Sequence, residues 1–270
     1  MVRSVNIMDN TNNKAYWENY VSYWKDKVCM ANENGKANDK TIDDAILMNY
    51  IKKLNLDSRD VFLDFGCGFC RSYPCYREIV GETDCYYGVD ITEAPLRLAE
   101  ELYPVLKNNE RLKTYDGILI PYDDESFDKI ICFGVFDACN QEVILKGLLR
   151  ILKVNGELLL TGKNNLYNKD DEGAYIAEIN ARKKGHPNYF TDVKKMSILL
   201  EESGIAIKES FFFEKRGDFP NNRYCTNMPD IFYEWAFILK KSKSDMKICT
   251  MKNLNFSSEY SKTYKLRKGE

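Results

Sequence analysis

Two kinds of patterning alternate along this chain. Short, nearly continuous apolar runs recur at Val61 to Leu63, Cys85 to Val89, Leu112 to Tyr115, Phe127 to Phe133 and Leu158 to Leu160. They have the length of buried strands. Between them lie longer amphipathic segments with helical spacing, at Tyr73 to Val80, Pro95 to Leu106 and Gln141 to Leu152. Pro74 is compatible with the first of these, because a proline is tolerated in the opening turn of a helix. Strand alternating with helix in this order predicts an α/β fold with a mostly parallel, doubly wound sheet.

Outside this block the pattern changes. Tyr16, Tyr20, Tyr23 and Trp24 fall at helical spacing, with Trp17 on the same broad face, and predict an amphipathic helix with an aromatic stripe. The polar segment from Ala31 to Lys40 follows as a hinge. Thr41 then caps a helix whose apolar side runs through Ile42, Ile46, Ile51 and Leu54. Beyond Gly162 comes a polar loop, a helix from Ala174 to Lys184, a second helix from Thr191 to Ser203, a sixth strand from Ala206 to Phe213 and a last strand from Phe232 to Leu239. The domain reading is therefore an aromatic helix and loop over residues 1–40 and one domain over 41–240. That domain carries an insertion at 163–190 and a loop rich in aromatic, Asn and Arg side chains at 214–230, and a tail without periodicity covers 241–270.

The chemistry concentrates at strand ends. The first strand runs into Asp64-Phe65-Gly66-Cys67-Gly68, where an acid meets two glycines that allow a sharp turn and close approach of backbone to a ligand. Asp90 closes the second strand 26 positions later, near the spacing at which a β-α-β unit offers a carboxylate to ribose hydroxyls. Asp116-Gly117 closes the third. A nucleotide-like ligand is the expectation.

With these elements the chain resembles the class I S-adenosylmethionine-dependent methyltransferases. The resemblance is clear from about Asp60 to Leu160 and looser from Gly204 to Lys240. Its most specific part is the helix ending in Leu152-Lys153-Val154-Asn155-Gly156 before the apolar strand. Where many members have a third glycine this chain has Cys70, which narrows the turn. The resemblance implies a Rossmann-like seven-stranded sheet of order 3-2-1-4-5-7-6 with strand 7 antiparallel, and an N-terminal helix acting as a lid over S-adenosylmethionine. It also implies roles by position. Gly66 and Gly68 approach the methionine portion, with Asp64 near its ammonium, and Asp90 accepts from the ribose. Ile91 packs on adenine, Asp116 or Gly117 meets the adenine amino edge, and Phe133 offers its backbone near the methionine end. The overall look is similar to bacterial methyltransferases of capsule and surface-polysaccharide pathways, including those of methyl phosphoramidate formation. That implies a small-molecule acceptor, phosphorylated or a sugar nucleotide, methylated on oxygen or nitrogen.

Acceptor chemistry is less legible. His186 is the single histidine and can exchange a proton near neutral pH, and Asp137, just after the fourth strand, is its rival as base, with helix capping as the plainer role. Tyr16 and Tyr20 on the aromatic stripe, and Arg71, Arg216 and Arg223 as clamps for a phosphate or carboxylate, complete the acceptor candidates.

Composition narrows the field. Lys plus Arg number 39 against 41 Asp plus Glu, a net charge of −2, which lacks the basic footprint of a nucleic-acid binder. After the fourth strand the chain reads Phe133-Gly134-Val135-Phe136, without the Asn/Asp-Pro-Pro-aromatic element of nucleic-acid methyltransferases. Nine cysteines, several within apolar strands, read as reduced thiols of a cytoplasmic protein. Cys67, Cys70 and Cys75 lack the partner pair of a zinc site, so no metal is expected. No run reaches the roughly 18 apolar residues of a membrane span. A nicotinamide-dependent dehydrogenase and a non-catalytic relative of the same fold remain as alternatives. The first expects the third glycine, and the second expects loss of Gly66, Gly68 or Asp90.

Overall fold

The computed structural model describes residues 14, 16–18, 42–82, 84–107, 110–242 and 254–269. The expectations for Tyr20, Tyr23, Trp24, the hinge and the cap at Thr41 lie outside them. Helix α1 (Ile42–Lys53) leads into β1 (Phe62–Phe65), α2 (Tyr73–Val80), β2 (Tyr86–Asp90), α3 (Glu93–Leu102), β3 (Leu112–Thr114), β4 (Phe127–Cys132), α4 (Gln141–Ile151) and β5 (Leu152–Lys163). Then come α5 (Glu172–Lys183), β6 (Phe190–Thr191), α6 (Val193–Glu202), β7 (Ile205–Phe213), β8 (Glu234–Lys241), β9 (Ser257–Ser258) and α7 (Lys262–Lys268).

Seven strands form one sheet in the order β3-β2-β1-β4-β5-β8-β7. The pairings β1 with β2 and β4, β2 with β3, and β4 with β5 are parallel, while β8 runs antiparallel to both β5 and β7. This is the predicted doubly wound topology. The strand numbers differ only because the two-residue β6, which pairs with β9 in a separate ribbon, was not visible in the pattern.

Alternation along the strands sorts the apolar side chains onto two faces. On one, Leu63, Ile130, Leu158, Leu160, Trp235 and Phe237 pack under α4 and α6. On the other, Phe62, Ile131, Leu159, Ala236 and Ile238 pack with Tyr50 and Ile51 of α1 and Tyr76 of α2. Helices are capped where the sequence offers oxygens: the side chains of Asn140, Asp171, Asp192 and Ser261 accept from the third residue beyond. Strand β5 begins as α4 ends. The register against β4 shifts between Phe127 and Lys129, and Asn155 takes a left-handed φ of 64° in the intervening stretch.

Residues 254–269, in the tail without periodicity, form β9 and α7. They pack on the insertion: the Thr263 hydroxyl donates to the Tyr167 carbonyl at 2.7 Å and accepts from its amide at 2.9 Å, and the Asp192 amide donates to the Phe256 carbonyl at 2.7 Å. Glu178 of α5, wholly buried, accepts from the Tyr167 phenol, Arg182 and the Ser261 hydroxyl. The segment shows no periodicity because polar bonds, rather than an apolar stripe, fasten it. Removing the central acceptor leaves two buried hydroxyl donors and the Arg182 half of an ion pair, so Glu178→Ala should cost about 3 kcal/mol of stability. Denaturant unfolding of the variant against the parent checks this.

Candidate active site

The carboxyl ends of β1, β2 and β4 meet at one edge of the sheet, where a doubly wound fold places ligands. The turn after β1 is built by backbone. Gly66 and Gly68 sit at φ of 73° and 53°, and the amides of Gly66 and Cys67 both donate to the Val89 carbonyl of β2, at 2.7 and 3.1 Å. A Cβ on Gly66 would lie 2.5 Å from the Val135 methyls, whereas one on Gly68 would meet nothing within 4 Å. Cys70 corrects the expectation of a narrowed turn. It adopts the left-handed conformation of a glycine, at φ 60°, and its fully buried side chain joins the core on the α1 and α2 face.

Asp64 is buried under this turn. The Ser72 hydroxyl and, at 3.1 Å, the Tyr86 phenol donate to one of its oxygens. Burial pushes its carboxyl up to about 6, against the pull of those two donors. Asp90 accepts from the Gly68 amide at 3.0 Å on one oxygen and from the Thr92 amide and hydroxyl, at 2.9 and 2.8 Å, on the other. Burial raises its pKa as well, with the Thr92 and Gly68 donors opposing. An ionised carboxylate has about four acceptor sites, so Asp90 keeps capacity for a ligand hydroxyl.

These groups face a cavity of about 410 Å³. Its wall includes Asp64, Gly66, Gly68, Asp90, Ile91, Gly117 and Phe133 of the expected cofactor residues, and Arg71 of the expected acceptor residues. Asp116 is not on that wall. Its carboxylate accepts the amides of Ile118 and Leu119 at 2.8 and 2.7 Å and closes a local turn. Trp17, Tyr115, Ser72 and Cys139 also line the cavity. Tyr115 directly precedes the acid that the pattern favoured, and Trp17 directly follows Tyr16, which is not on the wall. Of the expected pair Asp116 and Gly117, the wall takes Gly117.

The two expected bases lie beside the cavity rather than on it. Asp137 accepts the Lys163 amide at 2.9 Å, and its other oxygen lies 3.7 Å from the Lys163 ammonium. Burial raises the pKa of Asp137 while Lys163 opposes that rise. A Cβ at Gly162 would meet the Trp235 indole at 2.7 Å and the Asp137 carboxylate at 3.1 Å, so that glycine leaves room for both. His186 is half-buried, and burial lowers its pKa, which keeps the ring neutral at pH 7. Its Nδ1 lies against the Pro187 carbonyl, which can only accept, so Nδ1 carries the proton and Nε2 is the acceptor. The rings of Tyr16 and Trp17 meet it edge-on, at centroid distances of 5.2 and 4.9 Å. Arg216 and Arg223 sit exposed on the loop between β7 and β8, where their amides bond Asp171 and the Asp218 carbonyl. Two charged residues at this edge went unread in the sequence, Lys163 and Glu234, register partners across β5 and β8. Among the described residues no group of three His, Cys, Asp or Glu is placed to hold a metal, and no helix is long and apolar enough to cross a membrane.

Residues 63–160 match the family model described as a methyltransferase domain. No curated protein matches the chain. Among solved structures, it is similar to a SAM-dependent methyltransferase of Thermotoga maritima, described as a possible histamine N-methyltransferase. That likeness has 16% identity and a TM-score of 0.57, and covers 86% of this chain and 100% of that one. A second similar structure is geranyl diphosphate C-methyltransferase from Streptomyces coelicolor with Mg2+, geranyl diphosphate and S-adenosyl-L-homocysteine, at 11% identity and TM-score 0.56, covering 73% and 78%. At such identities the likeness is one of fold. The domain match sets aside the dehydrogenase alternative.

The two glycines predict different costs. Gly66→Ala combines left-handed strain with overlap on Val135 and should lose about 3 kcal/mol of stability, whereas Gly68→Ala carries the strain alone, about 1 kcal/mol. Equal losses in denaturant unfolding would refute the role assigned to Val135.

Proposed function

We propose that this S-adenosylmethionine-dependent methyltransferase methylates an oxygen or nitrogen of a small-molecule acceptor. The observation that carries the reading is the cavity itself: about 410 Å³, enclosed by the ends of β1, β2 and β4, with Trp17 on its wall. That volume is in the range of small-ligand pockets.

The residues present suit the cofactor. Gly68 presents open space where a side chain would stand, which supports close approach of backbone to the methionine portion. Asp64 has one oxygen taken by Ser72 and Tyr86 and one left for an ammonium. Asp90, fixed by three donors, is suited to accept from ribose hydroxyls. Ile91 and Gly117 supply apolar wall for adenine, with Tyr115 beside Gly117. Phe133, at the end of β4, brings its backbone to the methionine end. Bound there, the cofactor supplies a methyl group already activated on a sulfonium. The protein's task is then to align the acceptor and exclude water. Trp17 on the cavity wall is in place to do the second.

Calorimetry with S-adenosylhomocysteine, followed by a screen of small amines, alcohols and phosphorylated compounds for its production, tests the proposal. Absence of binding would refute it. Asp90→Ala should weaken that binding by about 1.5–3 kcal/mol, the range for hydrogen bonds to charged groups, and Asp90→Asn by less. Parental affinity in both folded variants would move the ribose site elsewhere.

The pH dependence follows from Asp64. Its ionised form attracts an ammonium, and with the carboxyl at about 6 that form is lost as pH falls through this value. Affinity for S-adenosylhomocysteine should therefore drop by up to about tenfold per pH unit below about 6 and level off above about 7. Calorimetric titrations from about pH 5 to 8 give the profile, and a flat one would remove Asp64 from contact with the ammonium.

A further inference from the structure

Glu234 opens β8, and because β8 runs antiparallel to β5 its first residue stands at the ligand-binding edge of the sheet. Side-chain alternation puts it on the face of Ala236 and Ile238, which is the face of Tyr50, Phe211 and Phe213. Its carboxylate makes no hydrogen bond or ion pair among the described residues. The cations acting on it are Lys163 and Arg216, and the other carboxylates are Asp137 and Asp171.

A second unmatched group points the same way. Tyr50 is 1% exposed, and its hydroxyl has no partner among the described residues, an arrangement that costs free energy unless something arrives to bond it. It feels the charge of Glu234 directly. Around it stand aromatic rings: Phe219 stacks on Tyr50 at 5.7 Å, Phe211 meets it edge-on at 5.4 Å, and Phe133 lies 6.2 Å away and 5.6 Å from Phe219. Phe133 is also a wall of the cofactor cavity, as is Leu47, one turn before Tyr50 on α1. A carboxylate with no ion pair and a buried phenol with no hydrogen-bond partner among the described residues, beside a set of π faces, together describe a receptor for an organic cation.

We propose that Glu234, Tyr50 and the rings of Phe133 and Phe219 form the acceptor subsite, that the acceptor is an alkylamine, and that Glu234 takes its proton. This rests on the methyltransferase reading above and narrows it to nitrogen. An ammonium has no lone pair for attack. Glu234 removes one N–H proton and becomes a carboxylic acid. The freed pair forms the bond to the methyl carbon as the carbon–sulfur bond breaks, its electrons return to sulfur, and S-adenosylhomocysteine and a methylammonium are the products. Burial raises the pKa of Glu234 to about 7, which matches a group that exchanges a proton at neutral pH. Asp137, one of the two bases expected from sequence, is held by Lys163, and the His186 ring stands against Tyr16 and Trp17 rather than in the set of Tyr50, Phe133 and Phe219.

The test is calorimetry on the protein saturated with S-adenosylhomocysteine, with phenethylamine and its uncharged counterpart 2-phenylethanol as probes. The amine is expected to bind at least about tenfold tighter than the alcohol. Glu234→Gln should erase that preference and leave the affinity for S-adenosylhomocysteine within twofold of the parent. Tyr50→Phe, which removes only the hydroxyl, should weaken the amine several-fold and serves as the second variant if the first does not fold. In turnover, Glu234→Gln should lose about 100-fold with an amine acceptor. Equal binding of amine and alcohol, or a preference that survives Glu234→Gln, overturns the proposal, as does a loss of S-adenosylhomocysteine affinity in that variant, which would give these groups to the cofactor. Failure of the parent to bind S-adenosylhomocysteine at all would instead overturn the methyltransferase reading on which this one stands.

Discussion

The bond from the Gly68 amide to the Asp90 carboxylate is the constraint on which the cavity depends. It ties the loop leaving β1 to the end of β2, and the two bonds from Gly66 and Cys67 to the Val89 carbonyl repeat the tie one residue earlier. Three backbone donors thus replace what side chains would otherwise have to do, in a turn with left-handed backbone at three places within five residues, and Val135 packs where a Cβ at Gly66 would stand. Asp90 is held from its other side by Thr92, so the same carboxylate shapes the loop and remains available at its surface. Geometry fixed in this way costs no reorganisation when a ligand arrives.

A gradient of charge runs along the edge of the sheet. At the ends of β1 and β2, Asp64 and Asp90 are held by hydroxyls and amides, neutral donors that do not cancel their charge. Toward β5 and β8, Asp137 faces a formal cation in Lys163, whose own pKa stays raised: burial opposes its charge, but the Asp137, Tyr233 and Glu234 charges outweigh that. A shared low-dielectric edge makes each of these groups sensitive to its neighbours.

What the sequence revealed was what is local. The strand-end acids and the paired glycines lie within one turn of the strand that carries them, so their spacing alone locates the cavity. Of the pair Asp116 and Gly117, Gly117 reaches the cavity wall while Asp116 closes a local turn, because a strand-end acid can equally cap an Asx turn and only the backbone direction after β3 decides between the two. Cys70 was misread because residue type predicts φ only weakly when the side chain has a core to enter. Lys163, Glu234 and Tyr50 belong to β5, β8 and α1, and nothing in their separate segments marks them. Their meeting is a product of the antiparallel placement of β8 between β5 and β7. The β6 and β9 ribbon escaped notice for a different reason, being two residues on each side and too short to carry a period.

The fastening of residues 254–269 onto the insertion bears on the order in which the molecule is made. The bond from Ser261 to Glu178 spans 83 positions, that from Thr263 to Tyr167 spans 96, and that from Ser257 to Glu142 spans 115. A chain emerging from the ribosome has made β1 to β5, with the glycine turn and its acids, while these partners are still unsynthesised, and Glu142 of α4 awaits Ser257 as the insertion awaits Ser261 and Thr263. The insertion that carries His186 and Asn188 must wait for them. Contacts of such separation form late because the loop they close is entropically expensive. The strands and the glycine turn that wall the cavity are therefore made before the segment that fastens the insertion.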